Sequence, residues 1–524
     1  MVLISHPIYP APGTPDDIAR SHTDTAATAT RARAQSKARA NAFSSSKLHR
    51  SSHLSRAPGP IEWKRQLRVM DKTVVLYPSL GVGHLTPMVQ LAKLFVRHGV
   101  AVTVALVEPQ VESPSFYAAA ARAAAANPSV TFHVLPPPAE AAEEAPRGRF
   151  DYLRLMDAPL RDFLRSLTAV HALVLDMFCA GSLDVAAELG IPAYFFFASG
   201  ASFLAVFLNL PSVAASMGRS FAELGDAPFR LPVAPPFKAT DLPQVILDND
   251  EASKAILRMA EIIAESSGIL INTFEPLEAR AVRDLRDGLC IPGRPTPPVY
   301  CIGPLVTEGG DKKHECLEWL DAQPDSSVTF LSFGSLGTFS KKQLQEIAVG
   351  LERSGQRFLW VVRSPLGDEQ KIGDPLPEPD LDALLPEGFL ERTKNQGLVV
   401  RSWAPQVEVL VHRATGAFMT HCGWNSTLEG ITAGLPLLCW PLYAEQRLNK
   451  VFIVEEMKLG VVMMGYDEEV VKAEEVEAKV KWVMDSEGGR ALRELAVAEK
   501  SKAAQALSEG GSSRAAFVEF LNNL

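Results

Sequence analysis

His421, Asn425 and Ser426, spaced around Gly423, are donors that could together hold an anion. Before them, Gly416-Ala417-Phe418-Met419 reads as a short buried strand after the polar turn His412-Arg413-Ala414-Thr415. Gly423 allows a tight bend, and Asn425 or Ser426 can cap a helix that starts there. Such a helix aims free N–H groups and the positive end of its dipole at whatever lies above the strand. Glu429, three residues after Ser426, can close a capping box or, turned outward, accept from a diol such as a ribose.

A second place with chemistry lies nearer the start. Thr73-Val74-Val75-Leu76-Tyr77 is an apolar, β-branched run of the kind that forms a parallel strand. The Gly-rich turn Pro78-Ser79-Leu80-Gly81-Val82-Gly83 follows and ends at His84. Leu85, Met88, Val89, Ala92 and Phe95 then recur at helical spacing, and residues 100–107 form a second strand ending at Glu108. Gly81-x-Gly83 in this βαβ unit invites a dinucleotide-binding reading, but Thr86 stands where the third glycine is needed. His84 also fills the turn where a pyrophosphate would need bare backbone. Ligands of open parallel sheets bind outside the carboxyl ends of the strands, which is where this turn puts His84.

The stretch from Trp403 to Gln446 (WAPQVEVLVHRATGAFMTHCGWNSTLEGITAGLPLLCWPLYAEQ) resembles the 44-residue signature of plant UDP-dependent glycosyltransferases of secondary metabolism. The resemblance extends over residues 70–524. It implies an α/β fold of two facing Rossmann-like domains with parallel sheets (GT-B) and an active site in the cleft between them. It implies that Trp403 stacks on the uracil, that the Ala404 backbone reads its edge, and that Glu429 and Gln406 hold the ribose. His421, Asn425 and Ser426, with Gly423 at the bend and Ser335 of Ser332-Phe333-Gly334-Ser335, would take the diphosphate. Trp424, Glu445 and Gln446 would bind the sugar hydroxyls. Each pairing is chemically apt: an aromatic face for a base, a carboxylate for a diol, donors for phosphate oxygens.

By the same resemblance His84 is the catalytic base. An imidazole base works best when a carboxylate fixes its tautomer. Asp176, which closes the apolar strand Ala172-Leu173-Val174-Leu175, matches the family's partner acid. The implied reaction has His84 take the proton of an acceptor hydroxyl, ideally a phenol. The oxygen then displaces UDP in line from UDP-glucose and gives a β-glucoside. Neither a metal nor another cofactor is implied; the sequence has no Asp-x-Asp pair and no clustered His/Cys set. Gln446 is similar to the glucosyl-transferring members, and Trp424 stands where glucuronosyl-transferring plant members carry Arg. Glu445 replaces an Asp found in many relatives, and Ala198 a Thr. The alternatives are a catalytically silent UDP-sugar-binding protein and transfer to carbon or nitrogen on the same scaffold.

On the acceptor side, residues 210–250 carry six prolines and read as loop with short helices. Phe178, Phe196, Phe197 and Phe203 suit either the walls of a pocket for a flat aromatic or plain core. The stretches around Tyr300 and Trp360 look most like the branch acting on flavonoids, chalcones and related phenolics.

At 524 residues with 47% hydrophobic content, the chain can bury more than one core. A net charge of −9 argues against nucleic acid, and no run of ~18 apolar residues argues for a membrane span. Six cysteines without short paired spacings read as reduced thiols, hence a cytoplasmic enzyme, and a monomer is expected. Residues 1–69 differ from the rest: eleven Lys/Arg against four Asp/Glu give them +7 and leave the remainder with −16. Rich in Ala, Ser and Arg and without periodicity, they read as a disordered leader, either not native or a plastid or mitochondrial address. Beyond them the expected plan is an acceptor domain over residues 70–305, a linker over 306–314 and a donor domain over 315–505. A last helix in 506–524 is expected to return to the first domain.

Overall fold

Apolar runs buried on both faces build two separate parallel sheets. The computed structural model describes residues 72–109, 114–138, 148–248, 250–307, 309–310, 314–367, 369–370 and 374–524. The leader over residues 1–69 and positions 308 and 311–313 of the linker lie outside these. The first sheet contains β1 (Thr73–Tyr77), β2 (Ala101–Val107), β3 (Thr131–Leu135), β4 (Ala172–Asp176) and β5 (Ala193–Phe197). A two-residue ribbon, β6 (Pro228–Phe229) with β7 (Phe237–Lys238), stands apart from it, and β8 (Ile269–Ile271) and β9 (Val299–Cys301) complete it. Its order is β3-β2-β1-β4-β5-β8-β9, parallel throughout.

The second sheet is built from β10 (Val328–Ser332), β11 (Arg357–Val362), β12 (Gly397–Arg401), β13 (Thr415–Thr420), β14 (Leu437–Cys439) and β15 (Gly460–Val462). Its order is β12-β11-β10-β13-β14-β15, again all parallel. Strands such as β4, β5, β10 and β13 are buried at every residue, as an all-parallel sheet covered on both faces requires. The GT-B expectation of two Rossmann-like domains is met.

Strand order reverses once in each sheet, between β1 and β4 in the first and between β10 and β13 in the second. At such a switch point the flanking connections leave to opposite faces and open a crevice at the carboxyl ends. His84 follows β1 and Asp176 ends β4; Ser335 follows β10 and His421 to Ser426 follow β13. Both sets of predicted residues therefore sit at the one place in each sheet where a crevice must form.

Five helices carry or support the site: α1 (Val82–Arg97), α2 (Ala201–Met217), α3 (Trp424–Ala433), α4 (Gln446–Val451) and α5 (Ser512–Asn523). Helix α2 runs straight through Pro211, so the loop expected from residue 210 begins only at Gly218, which caps the helix in the left-handed conformation. Its first ten residues are all buried, and that burial outweighs one missing backbone hydrogen bond. Helix α5 lays Phe517, Phe520 and Leu521 into the core of the first domain, against Val74, Leu76 and Phe95. Lys72 Nζ donates to its end at Leu521 O, 3.0 Å. No helix among the described residues is long and apolar enough to cross a membrane, and all six cysteines are buried and free.

Candidate active site

Asp176 is 1% exposed, and its Oδ2 lies 2.9 Å from Nδ1 of His84, which is 25% exposed. The other oxygen accepts from the Phe178 N–H at 3.0 Å and caps the short 3₁₀ turn Met177–Ser182. Burial alone would push this carboxyl up, but the His84 imidazole and the Phe178 N–H hold it below its ordinary value. An ionised Asp176 draws the imidazole proton to Nδ1 and leaves Nε2 as a lone pair, the form a base needs. Phe178 meets the His84 ring edge-on, centroids 4.9 Å apart. Gly81 supplies the turn: its φ of 108° with ψ of 146° is open in practice only to glycine.

Across the cleft, α3 begins at Trp424 with Gly423 as a cap that contributes no side chain. The expectation that Asn425 or Ser426 would be the cap is therefore wrong by two or three residues. Both lie in the first turn, where Asn425 donates to Gly83 O at 3.1 Å and Ser426 Oγ accepts from Gln406, and Glu429 is in the second turn rather than in a capping box. The N–H groups of Trp424, Asn425 and Ser426 precede the first intrahelical bond, Thr427 N–H to Gly423 O. His421 is buried, which lowers its pKa to about 4 and keeps it neutral, and its Nδ1 has no partner among the described residues. The ring fits only between two glycines: a Cβ on Gly334 or Gly423 would come within 2.6 or 2.5 Å of His421 Nε2. Ser335, at the matching turn after β10, is exposed.

A chain of hydrogen bonds fixes the carboxylate of Glu429. Gln406 Nε2 donates to Glu429 Oε2 at 2.6 Å and to Ser426 Oγ at 2.9 Å, while Gln406 Oε1 accepts from Ser332 Oγ at 2.7 Å. Gln406 is fully committed, so it orients Glu429 and leaves the Ser426 hydroxyl proton free to be donated. Burial pushes Glu429 up to about 7 against the pull of Gln406. Trp403 is 53% exposed, with its ring edge-on to His314 at 5.7 Å, and Ala404 beneath it is buried.

Trp424 differs from its expected role. Its indole is buried, and its single side-chain donor is spent on Asn272 O of the first domain at 2.7 Å. Only its backbone N–H or ring face remains for a ligand. Gln446 is buried and accepts the N–H groups of Leu442 and Tyr443 through Oε1, at 2.9 and 3.0 Å, which leaves its amide N–H groups to donate. Glu445 is half-buried and raised in pKa, by burial first. Ser402, Cys422 and Ala444 adopt positive φ (60°, 64° and 54°), and each immediately precedes or separates these site residues. Such conformations concentrate where function demands them.

Of the four candidate wall residues, Phe196, Phe197 and Phe203 are core; only Phe178 faces the site. Beside it lies a cavity of ≈ 140 Å³ lined by Phe150, Leu153, Met259 and Ile262, with Arg154, Asp157 and Ser182 also on its wall. A larger void, ≈ 370 Å³ between Pro211, Arg258 and Arg294, contains none of the site residues.

Residues 289–493 match the family described as UDP-glucoronosyl and UDP-glucosyl transferase. An anthocyanidin 5,3-O-glucosyltransferase of a Rosa hybrid cultivar is 42% identical over 467 residues, which is 85% of this chain and 97% of that protein. The chain belongs to the plant UDP-dependent glycosyltransferases. A phloretin 2'-O-glucosyltransferase of Pyrus communis is 41% identical over 482 residues, 87% of this chain and 100% of the relative. Among solved glycosyltransferases, Phytolacca americana UGT2 complexed with UDP-2-fluoro-glucose and pterostilbene superimposes with a TM-score of 0.77 at 37% identity, covering 86% of this chain and 99% of that one.

Sequence reasoning missed one buried carboxylate of this glycosyltransferase. Glu278, 1% exposed, accepts from the N–H groups of Ala201 and Ser202 at 2.8 and 2.9 Å and so caps α2. Gly200, between that carboxylate and the Trp424 ring, has no room for a Cβ: Glu278 Oε1 would lie at 2.7 Å and Trp424 Cη2 at 2.8 Å. A signal existed. Glu278 keeps helical register with buried Ala281, Val282 and Leu285, which places it on the inward face.

Proposed function

We propose that this enzyme transfers glucose from UDP-glucose to a phenolic hydroxyl, with inversion, using His84 as base and Asp176 as the group that orients it. The 2.9 Å contact between His84 and Asp176 at the first sheet's switch point carries this reading, since it faces the amino end of α3 at the second. Trp403 offers a face for the uracil, and Ala404 its backbone for the base edge. Glu429, held by Gln406, accepts from the ribose. His421, the first N–H groups of α3, Asn425, Ser426 and Ser335 receive the diphosphate, and Glu445 and Gln446 read the sugar.

The steps follow from these positions. His84 Nε2 takes the phenol proton while Asp176 stabilises the imidazolium that forms. The phenolate oxygen attacks the anomeric carbon from the side opposite UDP. Charge accumulating on the diphosphate meets neutral donors and a helix dipole already in place, so protein groups do the work that a cation does elsewhere. The apolar lining around Phe178 suits a flat aromatic acceptor, the class acted on by the flavonoid-directed relatives. The six buried free thiols fit a reducing compartment such as the cytosol.

The test is to incubate the full chain with UDP-glucose and a panel of flavonoids, chalcones and simple phenols, read by mass. A product one hexosyl unit heavier, β-linked by NMR, is expected. Binding of UDP-glucose with neither transfer nor hydrolysis would favour the silent binding protein, and a carbon- or nitrogen-linked product would correct the bond formed.

A further inference from the structure

Helix α4 carries Gln446 at its start and Glu445 at its cap, and besides its own-domain bonds it packs on the other domain. One face is apolar: Leu448 and Val451, with Phe452 just beyond, are buried in the core cluster of the acceptor domain. Beside that strip Arg447 and Lys450, one helical turn apart, reach the segment that follows β7. Lys450 Nζ lies 3.0 Å from Asp241 Oδ1, and Arg447 Nη1 donates to Thr240 O at 3.3 Å. Asp241 is 3% exposed and is further fixed by the Tyr466 hydroxyl at 3.2 Å and by the backbone N–H of Lys238 at 3.0 Å. Lys450 also sits over the Tyr466 ring, 5.0 Å from its centroid. An ion pair this buried, with its carboxylate held by two further donors, adopts one geometry and resists others.

We propose that Asp241 is a positioning residue for the donor sugar. Through Lys450 it sets the register of α4, so the glucosyl group is gripped by Glu445 and Gln446 only while the acceptor-domain segment 226–241 is docked. The roof over the acceptor and the readers of the sugar are then one mechanical unit, and an undocked roof leaves UDP bound but its sugar loose. The uridine and diphosphate contacts stand on Trp403, Gln406 and α3, which Asp241 does not touch. This inference rests on the assignment of Glu445 and Gln446 to the sugar.

The experiment measures the affinities of UDP and of UDP-glucose by calorimetry for wild type, Asp241→Asn, Lys450→Met, Tyr466→Phe and Gln446→Ala. Asp241→Asn and Lys450→Met should weaken UDP-glucose about tenfold, the scale of a sub-ångström misplacement, and leave UDP within about twofold. Tyr466→Phe, which spares the ion pair and tests the same point if the other two fail to fold, should move the same ratio by a smaller factor. General loss of folding would lower both affinities or the active fraction and leave the ratio alone. An unchanged ratio in the clamp variants, with Gln446→Ala showing a changed one, overturns the clamp alone. A ratio unmoved in Gln446→Ala as well overturns the sugar assignment and the clamp with it.

Discussion

Asn425 donates its side-chain amide to the backbone carbonyl of Gly83 at 3.1 Å, joining the first turn of α3 to the turn that carries His84. In a regular helix that carbonyl would accept from the residue four positions on, which here is Pro87 and has no N–H. A proline inside α1 therefore leaves an acceptor on the turn that carries His84, and Asn425 of the other domain takes it.

Pro87→Ala should separate stability from activity. The new N–H can bond Gly83 O within α1, and an interior proline is about 3 kcal/mol less favourable than alanine in a helix. The melting temperature should rise while kcat/KM for transfer falls about three- to tenfold, a modest loss of alignment between His84 and the donor site. Thermal melts and steady-state rates on the same preparation decide it; a variant more stable and equally active would show that the bridge is idle.

If Glu429 holds the ribose as proposed, donor binding should depend on pH with a definite sign. Its carboxyl ordinarily titrates at 4.5 and is pushed up to about 7, and a carboxylate must be ionised to accept from a diol with both oxygens. The KM for UDP-glucose should therefore rise as pH falls through about 7, approaching tenfold per unit below it. Glu429→Gln should bind more weakly at high pH and lose this dependence. The folded state also keeps a proton that the unfolded chain releases, so the ligand-free enzyme should lose stability as pH rises from 4.5 to about 7. A flat KM profile in wild type would remove Glu429 from the ribose.

Trp403 keeps 53% of its area exposed, so truncating it opens no buried cavity. Trp403→Ala should weaken UDP about 10- to 100-fold, the usual worth of a base stacked on an aromatic ring, without lowering the melting temperature. Calorimetry with UDP and a thermal melt check both halves. An equal loss of affinity and stability would make Trp403 structural.

The two turns proposed to carry the chemistry were legible in the sequence as local structure: a buried apolar strand, a glycine bend and a helix start within about a dozen residues. The GT-B architecture followed from the family resemblance that those turns carry. What escaped depends on partners far away along the chain. Phe196, Phe197 and Phe203 look alike on paper as wall or core, and only the packing of α2 and of both faces of the sheet makes them core. Pro211 reads as a helix breaker, but complete burial of the ten residues before it keeps α2 continuous. The commitment of the Trp424 indole to Asn272, the Asp241–Lys450 pair and the Glu278 cap join residues separated by 152, 209 and 77 positions. No window of sequence contains both members of such a pair.

The most direct test of the account is His84→Ala, compared with wild type for transfer to a phenol and for UDP binding. The account predicts loss of at least about a hundredfold in transfer, the scale of a general base, with UDP affinity within about twofold of wild type. Transfer at the wild-type rate by this variant would contradict the assignment of His84 and, with it, the role given to Asp176.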